Sequence, residues 1–164
     1  MNALRQAATT AALVALVGCD HVTKYVAKSE LQDRPARDLI ARMLDLRYTE
    51  NTDVAFNLLR WIPEAVRRPL LIAFGALALL ALAVALVRSQ GPRPAPVAVT
   101  AGLALILAGA LGNYLDRVFR GYVVDFIHVP HWPVFNVADI AVALGIACLA
   151  WSQIRTSAST FRRL

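Results

Sequence analysis

Two aspartates in apolar surroundings are the residues of this sequence best suited to chemistry. Asp125 is the only charged side chain in residues 122–127, and Asp139 lies five residues into the apolar stretch that begins at Val134. A charge in the middle of a membrane helix costs about 2.5–3.5 kcal/mol on insertion scales, so a carboxyl group there needs a physical reason. Two carboxyl groups held close in a low dielectric share one proton, because both cannot ionise cheaply.

Such a carboxyl pair provides an acid and a base at one pH. The ionised member takes a proton from water while the protonated member polarises an amide carbonyl, and the reversed roles expel the amine. Taken singly, Asp125 could be a turn residue and Asp139 a helix cap. The connection 116–133 is short, so the end of the span before it and the start of the span after it should lie close together. We therefore expect both carboxyl groups at one membrane edge, with Asn136 on the same helix face as Asp139.

Two further sets of polar residues lie near the ends of apolar stretches. Asn113, Asp116 and Arg117 have the i, i+3, i+4 spacing that places them on one helix face. Asp20 and Lys24 are one helical turn apart and can neutralise each other where water is partly excluded. Each set could instead be a local ion pair or a helix end, and the spacing leaves both interpretations open.

Other chemistries fit the sequence less well. Asp125, His128 and His131 could hold a metal ion, but Pro130 and Pro133 interrupt any helix that would put both histidines on one face. Neither HExxH nor a serine in a GxSxG context occurs. We expect no metal and no other cofactor. A small membrane transporter or channel subunit is the alternative, because intramembrane carboxylates also mark ion paths.

The composition indicates a membrane protein of one domain, residues 1–164. Hydrophobic residues make up 58% and charged residues 17%, against about 25% charged in soluble proteins, and the mean hydropathy is +0.54. With 8 Gly, 8 Pro and no repeating triplet, collagen-like and disordered classes are excluded. The net charge of +6 comes from basic residues spread along the chain, without the interleaved aromatics of a nucleic-acid face, so no nucleic-acid partner is expected.

Four apolar stretches are long enough to cross a bilayer, which needs about 20 residues of helix. They cover residues 7–26, 69–87, 97–115 and 134–154 and predict an all-α integral membrane protein with four transmembrane helices. Ala104, Ala108 and Gly112 form a ridge of small residues typical of close helix packing. The first stretch could also be a signal peptide with a lipobox ending at Cys19, but three later spans favour a retained helix in which Cys19 is buried.

The connection 27–68 is too long and too mixed in charge to be a simple linker. Leu44 to Tyr48 alternate as a short strand does, and Ala55 to Trp61 are amphipathic enough for a surface helix. Asn51 follows the probable strand, either as an Asx-turn residue or as a group that reaches toward a substrate backbone. The short basic turn at 88–96 and the basic tail favour cytoplasmic termini, although the total count of Lys and Arg does not.

Five motifs together resemble the lipoprotein signal peptidases (signal peptidase II), in the order and spacing of that family. They extend from the first span into the fourth, and the similarity continues to Trp151. The motifs are Asp20-His21-Val22-Thr23-Lys24, Asn51-Thr52-Asp53-Val54-Ala55-Phe56, Gly109-Ala110-Leu111-Gly112-Asn113-Tyr114-Leu115-Asp116-Arg117, Val124-Asp125-Phe126 and Phe135-Asn136-Val137-Ala138-Asp139. Any one motif would be weak evidence, whereas the set is specific.

The resemblance implies a bacterial inner-membrane aspartic endopeptidase with four spans, and a small extracytoplasmic β-cradle and surface helix formed by the loop 27–68. Asp125 and Asp139 match the catalytic pair. The implied substrate is a diacylglyceryl-modified prolipoprotein, cut N-terminal to the lipid-bearing cysteine. Membrane lipids and globomycin-type inhibitors are implied partners, and the active site would face the periplasm. The matching substrate-binding and supporting residues are Asp20, Lys24, Asn51, Asn113, Arg117 and Asn136.

The sequence departs from the family pattern at three positions. Asp53 stands where Gly is common, Asn57 where Ser or Gly is common, and His21 where Gln is frequent. These differences leave both aspartates in place. They bear on the conformation of the loop, the range of substrates and the response to inhibitors.

Overall fold

The computed structural model describes the backbone of residues 2–40, 43–52 and 61–161 and the side chains of residues 3–40, 43–52 and 61–155. Four long helices make up most of it: α1 (Asn2–Leu31), α2 (Glu64–Ser89), α3 (Val97–Phe119) and α4 (Val137–Phe161). Three strands, β1 (Arg37–Ile40), β2 (Leu44–Asn51) and β3 (Val123–His128), form one antiparallel sheet in the order β1-β2-β3. The predicted combination of a mainly helical chain with a small sheet is confirmed.

Three helices of the described chain are long and apolar enough to cross a membrane: Glu64–Ser89, Val97–Phe119 and Val137–Arg155. They contain the predicted spans 69–87 and 97–115 and most of 134–154. α1 covers the predicted span 7–26 but does not reach the same apolarity, because Asp20, His21 and Lys24 interrupt its second half. A fourth transmembrane helix therefore stays a prediction.

α3 is the central helix and packs against α1, α2 and α4. The predicted ridge of small residues lies in these contacts, since Ala104, Ala108 and Gly112 are all buried. A Cβ atom added at Gly112 would lie 2.5 Å from the Oδ2 atom of Asp20, so α1 approaches α3 more closely than any other side chain would allow. Small residues thus set the distance at which polar groups of different helices meet.

The helices run the length of the bundle in alternating directions. At one end Arg5, near the start of α1, donates hydrogen bonds to the carbonyl oxygen of Ala95 at 2.9 Å and to Thr100. Thr100 in turn lies 3.1 Å from the hydroxyl of Ser89 at the end of α2. The sheet and the opposite helix ends lie at the other end of the bundle.

An apolar cluster attaches the sheet to these helix ends. Ala27 and Leu31 of α1 and Phe126 of β3 are buried together. Partly buried apolar side chains of β2, β3 and α4 pack around them. Burial of this cluster gives the sheet its position, because a three-stranded sheet with one apolar face needs a surface to cover that face.

Four sequence predictions need correction or stay open. The strand predicted over Leu44–Tyr48 is confirmed but extends to Asn51, so Asn51 belongs to the strand and not to a turn after it. Residues 123–128, predicted as part of a polar connection, form a strand that places Asp125 opposite Thr49. Cys19 is exposed on α1, not buried. The predicted surface helix, apart from its last residue, and the positions 53 and 57 lie outside the described residues.

Candidate active site

Asp125 and Asp139 lie at the same end of the bundle, as predicted from the sequence. Asp125 lies in the middle of β3 and is only 3% exposed, whereas Asp139 is half-buried in the first turn of α4. Asn136 contacts both: its Nδ2 atom donates to Asp125 Oδ1 at 2.6 Å, and its backbone N–H donates to Asp139 Oδ2 at 3.1 Å. One fully buried residue thus connects the two carboxyl groups.

Asn136 and Asp139 also cap the start of α4. The Asn136 Oδ1 atom accepts from the backbone N–H of Asp139 at 3.0 Å, while Asp139 Oδ2 accepts from the backbone of Asn136. This reciprocal arrangement is a capping box, which satisfies N–H groups that the first helical turn leaves free. The structural interpretation of Asp139 as a helix cap is therefore correct for one oxygen, and the other oxygen has a different partner.

That partner is Asn113 of α3. The Nδ2 atom of Asn113 donates to Asp139 Oδ1 at 2.8 Å, and its Oδ1 atom accepts from Lys24 Nζ at 2.8 Å and from Asn136 Nδ2 at 3.0 Å. A lysine ammonium can only donate, so the amide oxygen must face Lys24 and the amide nitrogen must face Asp139. Asn113 and Asn136 therefore form a chain of amides between the two aspartates.

Asn51 at the end of β2 completes the surroundings of Asp125. Its Nδ2 atom donates to Asp125 Oδ2 at 2.8 Å, so both carboxyl oxygens of Asp125 contact amide groups. Burial raises the pKa of Asp125 above its ordinary value; the hydrogen bonds from Asn51 and Asn136 act in the opposite direction, and the charge of Asp139 adds to the rise. The net effect is that Asp125 retains its proton to a higher pH than an isolated aspartic acid.

Lys24 is the centre of a buried charge network behind this pair. Its Nζ atom lies 2.7 Å from Asp20 Oδ2 and 3.0 Å from Asp116 Oδ2, and the whole side chain is inaccessible to solvent. Asp20 Oδ1 accepts from the backbone N–H of Ala138 at 3.0 Å, which ties α1 to the start of α4. Asp116 Oδ1 pairs with Arg120 at 2.5 Å. The predicted Asp20–Lys24 pair is present, and its hydrogen bonds and ion pairs connect α1 with α3 and α4.

Asp116 also belongs to this network, although it was not predicted to be a site residue. The structure places its carboxyl group between Lys24, Arg120 and the backbone N–H of Val124, which donates to it at 3.3 Å. It therefore fixes the start of β3, one residue before Asp125. The sequence indicated only that Asp116 shares a helix face with Asn113, through the i+3 spacing. Its ion-pair partner Lys24 on α1 is more than ninety positions away in sequence, so the pairing was not predicted.

Arg117 is half-buried beside the carboxyl pair. It donates to the backbone oxygen of Asn113 at 3.3 Å, and its guanidinium interacts electrostatically with Asp125 and Asp139. It also lines an apolar groove between α2 and α3, which runs from Asn113 and Arg117 along Leu71, Phe74, Gly75, Ala78 and Leu79. The polar site thus opens sideways onto an apolar surface.

His128 and His131 do not join this site. His128 Nδ1 lies 2.8 Å from Asp45 Oδ2, and Arg47 donates to both oxygens of the same carboxylate at 2.7 and 2.9 Å. Hydrogen bonds from Arg47 and from His128 lower the pKa of Asp45 to about 2. His131 is exposed, and within the residues that the structure describes no three metal-ligating side chains form a group. His21, one of the departures from the family pattern, lies half-buried with Nδ1 3.9 Å from Asp20.

Fold and site together define a mainly helical membrane protein with two hydrogen-bonded carboxyl groups at one end of its helices. Residues 12–155 match the family model described as Signal peptidase (SPase) II. The chain is 33% identical over 139 residues to the lipoprotein signal peptidase of Moorella thermoacetica, covering 85% of this chain and 87% of that protein. It is 40% identical over 152 residues to that of Chlorobium phaeobacteroides, covering 85% and 89%. The chain therefore belongs to the signal peptidase II family of membrane proteases.

Solved structures agree with this fold. One bacterial membrane enzyme superimposes with a TM-score of 0.77 at 24% identity, covering 93% of this chain and 91% of the other. A second gives a TM-score of 0.73 at 25% identity, covering 90% and 92%. The helical arrangement with its small sheet is thus a fold found in membrane enzymes.

Proposed function

We propose that this chain is an aspartic endopeptidase that removes signal peptides from diacylglyceryl-modified prolipoproteins, cutting N-terminal to the lipidated cysteine. Membership of the signal peptidase II family supports the removal of signal peptides from prolipoproteins. The observation that carries the aspartic mechanism is the hydrogen bonding of one buried residue, Asn136, to both Asp125 and Asp139.

In this mechanism water is the nucleophile. Asp139 takes a proton from water while protonated Asp125 donates a hydrogen bond to the scissile carbonyl, and the roles reverse when the amine leaves. The raised pKa of Asp125 supports its assignment as the group that holds the proton at rest. Asn51, Asn113 and Asn136 hold the carboxyl groups in place, which lowers the reorganisation needed during the reaction.

The apolar groove supports the choice of substrate. A signal peptide is an apolar segment, and the groove beside Asn113 and Arg117 is lined mainly by apolar side chains of α2 and α3. A substrate held in the membrane can place its apolar part along these helices and its scissile bond at the polar end. A globomycin-type inhibitor would occupy the same place.

We further propose four spans, with α1 as the fourth, in the bacterial inner membrane. α1 extends along α3 from the turn near Ala95 to the site, which supports a full crossing. Trp61 and Trp132 are exposed at the site end of the bundle, and Trp151 is exposed toward the opposite end. Tryptophan side chains are enriched at both membrane–water interfaces, so these positions support two interfaces. In this arrangement the termini are cytoplasmic and the site faces the periplasm.

The test is conversion of a diacylated precursor by the purified full-length enzyme, followed by gel shift. Asp125→Asn and Asp139→Asn should each lower kcat/KM by about 10²–10⁴-fold, because each removes a proton-transferring group. Asp38→Asn is the matched control, since Asp38 is an exposed carboxylate on β1, and it should cleave like wild type.

Three results decide against the proposal. Cleavage retained by either site variant, with protein level and membrane insertion unchanged, would eliminate the carboxyl pair. Loss of activity with a chelator and in His128→Ala would instead favour a metal site. Ion or proton flux in vesicles without peptide cleavage would favour the transporter alternative.

A further inference from the structure

We propose that a cationic pocket beside the candidate active site binds the phosphate group of an anionic phospholipid. This arginine pocket lies where α2 begins and α3 ends. Its polar lining consists of Thr52, Glu64, Arg67, Arg68 and Arg117, with Gly121 at one side. In the part of the chain that the structure describes, Arg67 and Arg68 take no part in the hydrogen bonds that hold Asp125 and Asp139, so the pocket has groups of its own.

The described lining of the arginine pocket carries a net positive charge. Among the described residues, Arg67, Arg68 and Arg117 line it together with one carboxylate, that of Glu64. Arg117 is engaged with Asp125 and Asp139, which leaves Arg67 and Arg68 for a ligand. Among residues 3–40, 43–52 and 61–155, no ion pair joins either of these arginines to a carboxylate. Paired guanidinium groups match phosphate oxygens, because their N–H groups form a planar fork.

Arg68 lies beside the turn that follows α3. Gly121 has a φ angle of +85°, and a Cβ atom added there would lie 3.6 Å from the guanidinium carbon of Arg68. The guanidinium therefore lies beside the backbone of this turn, where the positive φ angle would strain a residue with a side chain. The start of α2 and the turn after α3 thus meet at this pocket.

The arginine pocket continues into the apolar groove. Leu71 and Arg117 line both, and the groove extends from them along Phe74, Gly75 and Ala78. A cationic pocket above an apolar groove matches a phosphate headgroup followed by an acyl chain. A free phosphate ion or a soluble acidic peptide would fill the pocket and leave the groove empty, so a phospholipid fits both parts while no signal peptide occupies the groove.

The test measures lipid retention by native mass spectrometry of the full-length protein, extracted from vesicles of equal phosphatidylglycerol and phosphatidylcholine. Wild type should retain phosphatidylglycerol preferentially, and Arg67→Gln/Arg68→Gln should reduce that preference about tenfold. Arg88→Gln/Arg93→Gln is the matched control, because both arginines are exposed at the opposite end of α2 and in the turn after it. This control should behave like wild type.

Lysine variants keep the test decisive if the glutamine variant does not fold. Arg67→Lys/Arg68→Lys preserves the charge but removes the planar fork, so it should retain phosphatidylglycerol less well than wild type. Equal retention by wild type and a folded glutamine variant would overturn the proposal. Displacement of the lipid by millimolar inorganic phosphate would also overturn it, because the pocket would then bind the free ion without needing an acyl chain.

Discussion

The Nζ atom of Lys24, whose side chain is inaccessible to solvent, donates a hydrogen bond to Oδ1 of Asn113 at 2.8 Å. A lysine near the end of α1 thereby decides which end of an amide on α3 faces Asp139. If the amide were reversed, its nitrogen would face the ammonium and its oxygen would face the carboxylate, and both contacts would be repulsive. The buried lysine therefore has a positioning role for the carboxyl pair as well as a role in the charge network.

Replacing this lysine should mainly lower stability. Lys24→Met leaves Asp20 and Asp116 buried without their shared cation, which should reduce the free energy of unfolding by about 3–5 kcal/mol. Thermal unfolding of the purified protein in one detergent measures the change. Lys28→Met is the matched control one turn further along α1, where the ammonium donates a hydrogen bond to Tyr122, and it should cost at most about 1 kcal/mol. Equal losses in both variants would contradict the network.

Asn136→Ser should separate the helix cap from the bridge between the carboxyl groups. Serine also caps helices well, but it cannot reach Asp125 with a donor in the same position. We expect kcat/KM to fall about hundredfold and the free energy of unfolding to fall by only about 1–2 kcal/mol. Asn136→Ala should lose about 1 kcal/mol more without a further loss of activity. Full activity in Asn136→Ser would show that the bridge is unnecessary.

Gly112→Ala should disturb the contact between α1 and α3. The new Cβ atom would lie 2.5 Å from Asp20 Oδ2, so the carboxylate or the helix must move, at a cost of about 1–3 kcal/mol. Gly18→Ala is the control: no atom of the described residues lies within 4 Å of its Cβ position, and alanine should stabilise α1 by about 0.5–1 kcal/mol. Unfolding midpoints of the two variants should therefore move in opposite directions. A stabilised Gly112→Ala would refute the close approach.

The pH dependence of cleavage tests the assignment of Asp125 as the proton carrier. The hydrogen bond from Asn51 lowers the pKa of Asp125, so Asn51→Leu should raise that pKa further. In the proposed mechanism activity needs protonated Asp125 and is lost as pH rises through its pKa, so the alkaline limb of the kcat/KM profile should move to higher pH in this variant. Asp38→Asn should leave the limb unchanged. A limb that moves to lower pH would assign the proton to a different group.

The sequence predicted the helical elements better than the sheet. Three apolar stretches became α2, α3 and α4, because a long run without charges is by itself enough to specify a membrane helix. The strand over residues 123–128 was missed, although Val123 and Val124 favour strands, because its partner β2 lies more than seventy residues earlier. α1 is less apolar than a typical membrane span because it contains Asp20 and Lys24, which belong to the buried charge network.

The types and spacing of the side chains alone determined that Asp125 and Asp139 are the candidate acid and base, and the five motifs pointed to the family. Only the tertiary structure decided how these groups are held: Asn136 contacts both aspartates, Lys24 orients Asn113, and Asp116 joins the network. The physical reason is that hydrophobic periodicity is a local property of the chain. Hydrogen bonds between residues some ninety positions apart depend on how closely α1, α3 and α4 pack, and small residues such as Gly112 set that distance.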